Sequence, residues 1–162
     1  MRQARPGISV TALLFGVAAV LAACDPQVRT DLVGVRRLPP NRLEVFYRPC
    51  PGELVASVEF LAPEGNIVGD EDETRYWRIE SDGAPTYRFV VGQTPEGFSE
   101  SVSLRSVPPS DSELAILIDT NLRPSPGVFF QISELKEASV LSGSGYSSLE
   151  GFLASDPGDC PN

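Results

Sequence analysis

The chain has 162 residues, 22 acidic and 13 basic, giving a formal net charge of −9, and it contains no histidine and three cysteines. The acidic balance repels phosphate backbones, so no nucleic acid is expected as a partner. The missing histidine excludes Ser-His and Cys-His nucleophilic machinery and the histidine-rich sites of most catalytic zinc proteins.

The chain opens with Arg2 and Arg5, followed by an almost chargeless stretch, ISVTALLFGVAAVLAA, at residues 8–23. A short positive start and an apolar core of about 16 residues, closed by small side chains, form a secretory signal and fall short of a permanent span. The stretch ends in Leu21-Ala22-Ala23-Cys24. With the charged start and apolar core, this tetrad resembles the lipobox of bacterial lipoproteins. The resemblance covers residues 1–24 alone. It implies that Cys24 receives a diacylglycerol, that residues 1–23 are removed as a signal peptide, and that two acyl chains hold the protein at the extracytoplasmic face of the cell membrane. Asp25 follows directly, which in Gram-negative lipoproteins favours retention in the inner membrane. Removal takes away two arginines and no acid, moving the net charge from −9 to −11.

With Cys24 assigned to lipid, Cys50 and Cys160 remain as one pair in an oxidising compartment, and a disulfide between them is expected. Residues 24–30 form a short membrane-proximal spacer, 31–133 the folded domain, and 134–162 a tail tied back by that bridge.

In the mature chain, proline and glycine punctuate short runs that alternate apolar and polar residues. Such alternation predicts strands over residues 32–38, 42–48, 55–61, 75–80, 87–91, 102–106, 114–119 and 127–133. About eight short strands give an all-β class, a single β-sandwich of immunoglobulin-like or similar type with a short helical or irregular C-terminal tail. Leu43, Val45 and Tyr47 share one face of the second strand, with Glu44, Phe46 and Arg48 on the other. Trp77, the only tryptophan, is expected in the core. Residues 134–141 hold helix formers and suggest two turns, 142–148 read as a flexible Ser/Gly linker, and Leu149, Phe152 and Leu153 form one face of a short helix.

Few residues in the chain point to a specific chemistry. Asp70, Glu71, Asp72 and Glu73 make the densest acidic run and are a weak calcium candidate, lacking the ligand alternation of an EF-hand. A solvated loop is the simpler reading of that run. The aromatic residues mostly alternate in phase with aliphatic ones and belong to the core; Phe129 is out of phase. No cofactor is implied. The expected function is a lipid-anchored envelope protein presenting a non-catalytic binding or structural module, with an envelope protein or cell-wall component as partner. The alternatives are a small carboxylate-based envelope enzyme and an accessory factor for assembly of a membrane complex.

Overall fold

The computed structural model describes residues 31–63, 74–123, 125–158 and 160. Cys24, the spacer and the acidic run Asp70, Glu71, Asp72, Glu73 lie outside the described residues.

Two five-stranded antiparallel sheets pack as a sandwich. The strands are β1 (Val33–Leu38), β2 (Arg42–Tyr47), β3 (Val55–Ala62), β4 (Thr74–Ala84), β5 (Arg88–Val90), β6 (Ser99–Val102), β7 (Leu114–Thr120), β8 (Gly127–Phe130), β9 (Val140–Ser142) and β10 (Gly145–Ser147). A 3-10 helix spans Ile132–Glu134, and α1 spans Leu149–Ala154. The first sheet runs β10-β9-β1-β2-β5 and the second β6-β4-β3-β7-β8. The order β1-β2-β5 against β4-β3-β7-β8 follows the A-B-E against C′-C-F-G neighbours of immunoglobulin-type sandwiches. All four edge strands are only three or four residues long, which limits strand addition from outside.

The core follows the alternation. Val45 and Tyr47 of β2 meet Val58 and Phe60 of β3, Trp77 and Ile79 of β4, and Ile116 and Ile118 of β7, all essentially inaccessible to solvent. Phe60 stacks on Phe130 with ring centroids 6.3 Å apart. Trp77 is fully buried, as expected of the single tryptophan. The β1–β2 hairpin turns through three residues between Leu38 and Arg42. Its last turn residue, Asn41, has φ +87°, a left-handed conformation that asparagine tolerates better than most residues.

Several boundaries depart from the sequence expectation. β4 continues to Ala84, and the sixth strand sits earlier, at Ser99–Val102, because it pairs there with Arg78, Ile79 and Glu80. β8 ends at Phe130, and the chain bends into the 3-10 helix.

The largest correction lies after Ser133. The helix expected over 134–141 does not form, and the linker expected over 142–148 is a hairpin. Leu141 pairs with Val35 of β1, so β9 and β10 extend the first sheet. Val140 is wholly buried against Phe46 and Phe152, and that packing overrides the local helix propensity of the preceding residues. The Ser/Gly run supplies the turn, with Gly145 at φ +101°. The expected helical face survives as α1, whose first turn is capped by Ser148 accepting from the Gly151 amide at 3.0 Å. Cys50 and Cys160 are joined in a disulfide spanning 110 residues, with their Cα atoms 5.6 Å apart.

Candidate binding groove

The alternation on β2 that sends Leu43, Val45 and Tyr47 inward sends Glu44 and Phe46 to the outer face of the first sheet. Both are buried there: Phe46 packs against Val140 of β9 and Phe152 of α1, and Glu44 is held between the Arg36 and Arg88 side chains. Register sets the neighbours: Gly34, Phe46 and Arg88 lie in one cross-strand row, and Arg36, Glu44 and Val90 in the next.

Glu44 is completely buried and is shared by two arginines. Arg36 donates from Nε to Oε2 at 2.6 Å, and Arg88 from Nε to Oε1 at 2.5 Å. A buried carboxylate requires such compensation. The two guanidinium groups also lie over the Phe46 ring, 5.2 and 5.9 Å from its centroid. One carboxylate between two arginines leaves one positive charge in excess.

Gly34 makes room for the helix. A Cβ at this position would lie 2.4 Å from Val140 Cγ1 and 2.9 Å from Phe152 Cζ. Phe152 therefore descends onto bare backbone, and the Arg48 guanidinium covers its other side at 4.9 Å. Arg48 donates to the carbonyls of Ser155 and Asp156 at 2.6 and 2.8 Å and to that of Asp31 at 2.5 Å. One side chain thus ties the start of the described fold to its end.

Between α1 and the β2–β5 side of the sheet runs a groove of about 510 Å³. Phe46, Tyr47 and Tyr87 contribute on the sheet side, Leu149 and Leu153 on the helix side, with Arg48 and Arg88 among the lining residues. Leu153 is 54% exposed, and the Arg88 side chain 67% exposed. The lining is mostly apolar with a few placed charges, and the volume falls in the range of about 300 to 1,000 Å³ typical of ligand sites.

A second buried charge pair stabilises the neighbouring end of the sandwich. Glu53 accepts from Arg123 Nε at 3.0 Å and Nη2 at 2.6 Å, from the Thr120 hydroxyl at 2.7 Å, and from the Cys50 amide at 2.7 Å. Burial acts to raise its pKa, but hydrogen bonds from Arg123, the Cys50 amide, Thr120 and Tyr47 outweigh it and bring the carboxyl down to about 2. Burial, reinforced by Glu53, pushes the Tyr47 hydroxyl well above the usual phenol range. Hydrogen bonding to Glu53 raises Arg123 despite its burial. The cluster fixes the turn that carries Cys50 against the β7–β8 connection.

The outer face of the second sheet carries a polar cleft of about 590 Å³ lined by Ser57, Arg78, Glu80 and Asp119, among others. Two of its acids are engaged: Glu80 pairs with Arg78 at 2.6 Å, and Asp119 accepts from Ser57 and Ser125. Phe129, the aromatic out of phase, is partly buried against Leu61, Ala115 and Leu117. Among the described residues, no three histidines, cysteines or acids converge in a way that could hold a metal ion.

Comparison with protein-family models, with curated proteins and with solved structures returns no match for this chain.

Sequence reasoning paired Cys50 with Cys160 but missed the groove. Glu44 as the polar residue of an otherwise apolar buried strand was a visible signal. Its partners were not, since Arg36 and Arg88 meet it only across two strand pairings.

Proposed function

We propose that the chain is a bacterial envelope lipoprotein, anchored through Cys24, whose β-sandwich is a non-catalytic binding module with the groove beside α1 as its binding face. The observation that carries this reading is the position of Asp31. Its carbonyl is held by Arg48, a residue of the groove wall, and it lies seven positions after Cys24. An extended tether of that length spans at most about 25 Å. A lipidated Cys24 would keep the groove close to the bilayer surface.

Carboxylate catalysis has less support. A general acid needs a raised pKa, whereas Glu53 is held near 2. Glu44 and Glu59 are each paired with two arginines.

The test of anchoring is Cys24→Ser, which is expected to move the protein from the membrane to the soluble fraction and abolish labelling by radioactive palmitate. Unchanged fractionation and labelling would overturn it.

A further inference from the structure

We propose that the groove binds an anionic membrane lipid, with one acyl chain along Phe46, Tyr87, Leu149 and Leu153 and the headgroup at Arg88. The proposal rests on the reading of Cys24 as an anchor only for the source of the ligand, the bilayer to which the protein is tethered.

Three observations converge on this ligand. The groove lies between a helix and a sheet and is lined by apolar side chains from both, suited to a chain of methylene groups. Its charges have the opposite sign to the protein as a whole. On a chain of net charge −9, an anionic ligand is repelled over most of the surface. Here the exposed Arg88 shares its carboxylate, Glu44, with Arg36, which lies outside the groove lining, and the buried Arg48 keeps its charge while donating only to neutral carbonyl oxygens. The groove therefore offers positive charge beside an apolar floor, the complement of an amphiphile with an anionic head. The third observation is reach: Asp31, the first described residue, is held at the groove wall and lies seven positions after the anchoring cysteine.

The test is photocrosslinking in the full chain. With p-benzoylphenylalanine in place of Leu153, irradiation of membranes is expected to yield a one-to-one phospholipid adduct, identified by mass spectrometry. The same photoreactive residue in place of Tyr146, on β10 at the opposite edge of the sheet, should give none. Arg88→Gln is expected to reduce the yield about fivefold, the effect of one basic charge at an anionic surface, while Arg88→Lys retains it. A second arm uses the Cys24→Ser chain mixed with vesicles of phosphatidylglycerol or of phosphatidylcholine, and expects adducts mainly with phosphatidylglycerol. Should Cys24 carry no lipid, fractionation of the unaltered chain reveals it, and the vesicle arm still reads the groove. A crosslink to the chain's own N-terminal peptide, to a second copy or to another protein overturns the proposal. Equal yields on both vesicles, or no adduct in either arm, also overturn it.

Discussion

Arg123 grips Glu53 with two nitrogens, Nε on Oε1 at 3.0 Å and Nη2 on Oε2 at 2.6 Å, although 70 residues separate them in sequence. Both side chains are nearly or wholly buried. Truncation of one partner strands the other as an uncompensated charge. Arg123→Ala is therefore expected to destabilise the fold by about 3 to 5 kcal/mol. Urea denaturation followed by the fluorescence of Trp77 measures it, and a loss below 1 kcal/mol would show that the pair is dispensable.

The same carboxyl makes stability depend on pH. Its folded-state pKa lies near 2, below an ordinary value of 4.5, so the unfolded chain binds the proton more readily. The stabilisation is fully present above about pH 4.5 and is lost as pH falls toward 2. Glu53→Gln should flatten the stability profile in that window relative to the unaltered protein. Parallel profiles for the two proteins would refute the assignment.

Gly34→Ala tests how α1 is seated. The added methyl group meets Val140 at 2.4 Å and Phe152 at 2.9 Å, so the helix or β9 must shift, at an expected cost of about 1 to 3 kcal/mol. Amide exchange should accelerate in α1 and β9. Gly52→Ala provides the contrast: nothing lies within 4 Å of its Cβ position, and its only penalty is the left-handed φ of +77°.

Replacing Cys50 and Cys160 by serine together releases a constraint over 110 residues. The chain-entropy relation gives a loss of about 5 kcal/mol, acting on the unfolded ensemble. The midpoint of urea unfolding should fall accordingly in the double variant. Identical midpoints for oxidised, reduced and double-variant protein would contradict a stabilising bridge.

The strands of the sandwich core were readable from the chain because alternation is a local property. Residues two apart share a face, so the pattern around Val45, Phe60 and Ile116 needs no knowledge of neighbours. Over residues 134–148 local alternation and propensity misled. Residues 134–141 contain helix formers, but Val140 gains more by packing on Phe46 and Phe152 than the segment gains from an isolated helix. The Ser/Gly run, read as a linker, turned out to be the loop of a hairpin, since glycine serves both uses. The groove was illegible for a related reason. Its lining comes from β2, β5, α1 and the segment after it, and those four pieces meet only once the sheet order is set.

The sequence by itself determined the all-β class, the burial of Trp77 and the acidic charge of the chain, all of which depend on composition or on residues close together. Tertiary structure alone decided that Glu44 would lie between Arg36 and Arg88, that Glu53 would meet Arg123, and that Arg48 would clamp Asp31 to Ser155 and Asp156. A buried charge must be neutralised by whatever folding brings beside it. In an antiparallel sandwich that partner is chosen by strand order and register, which local alternation does not encode.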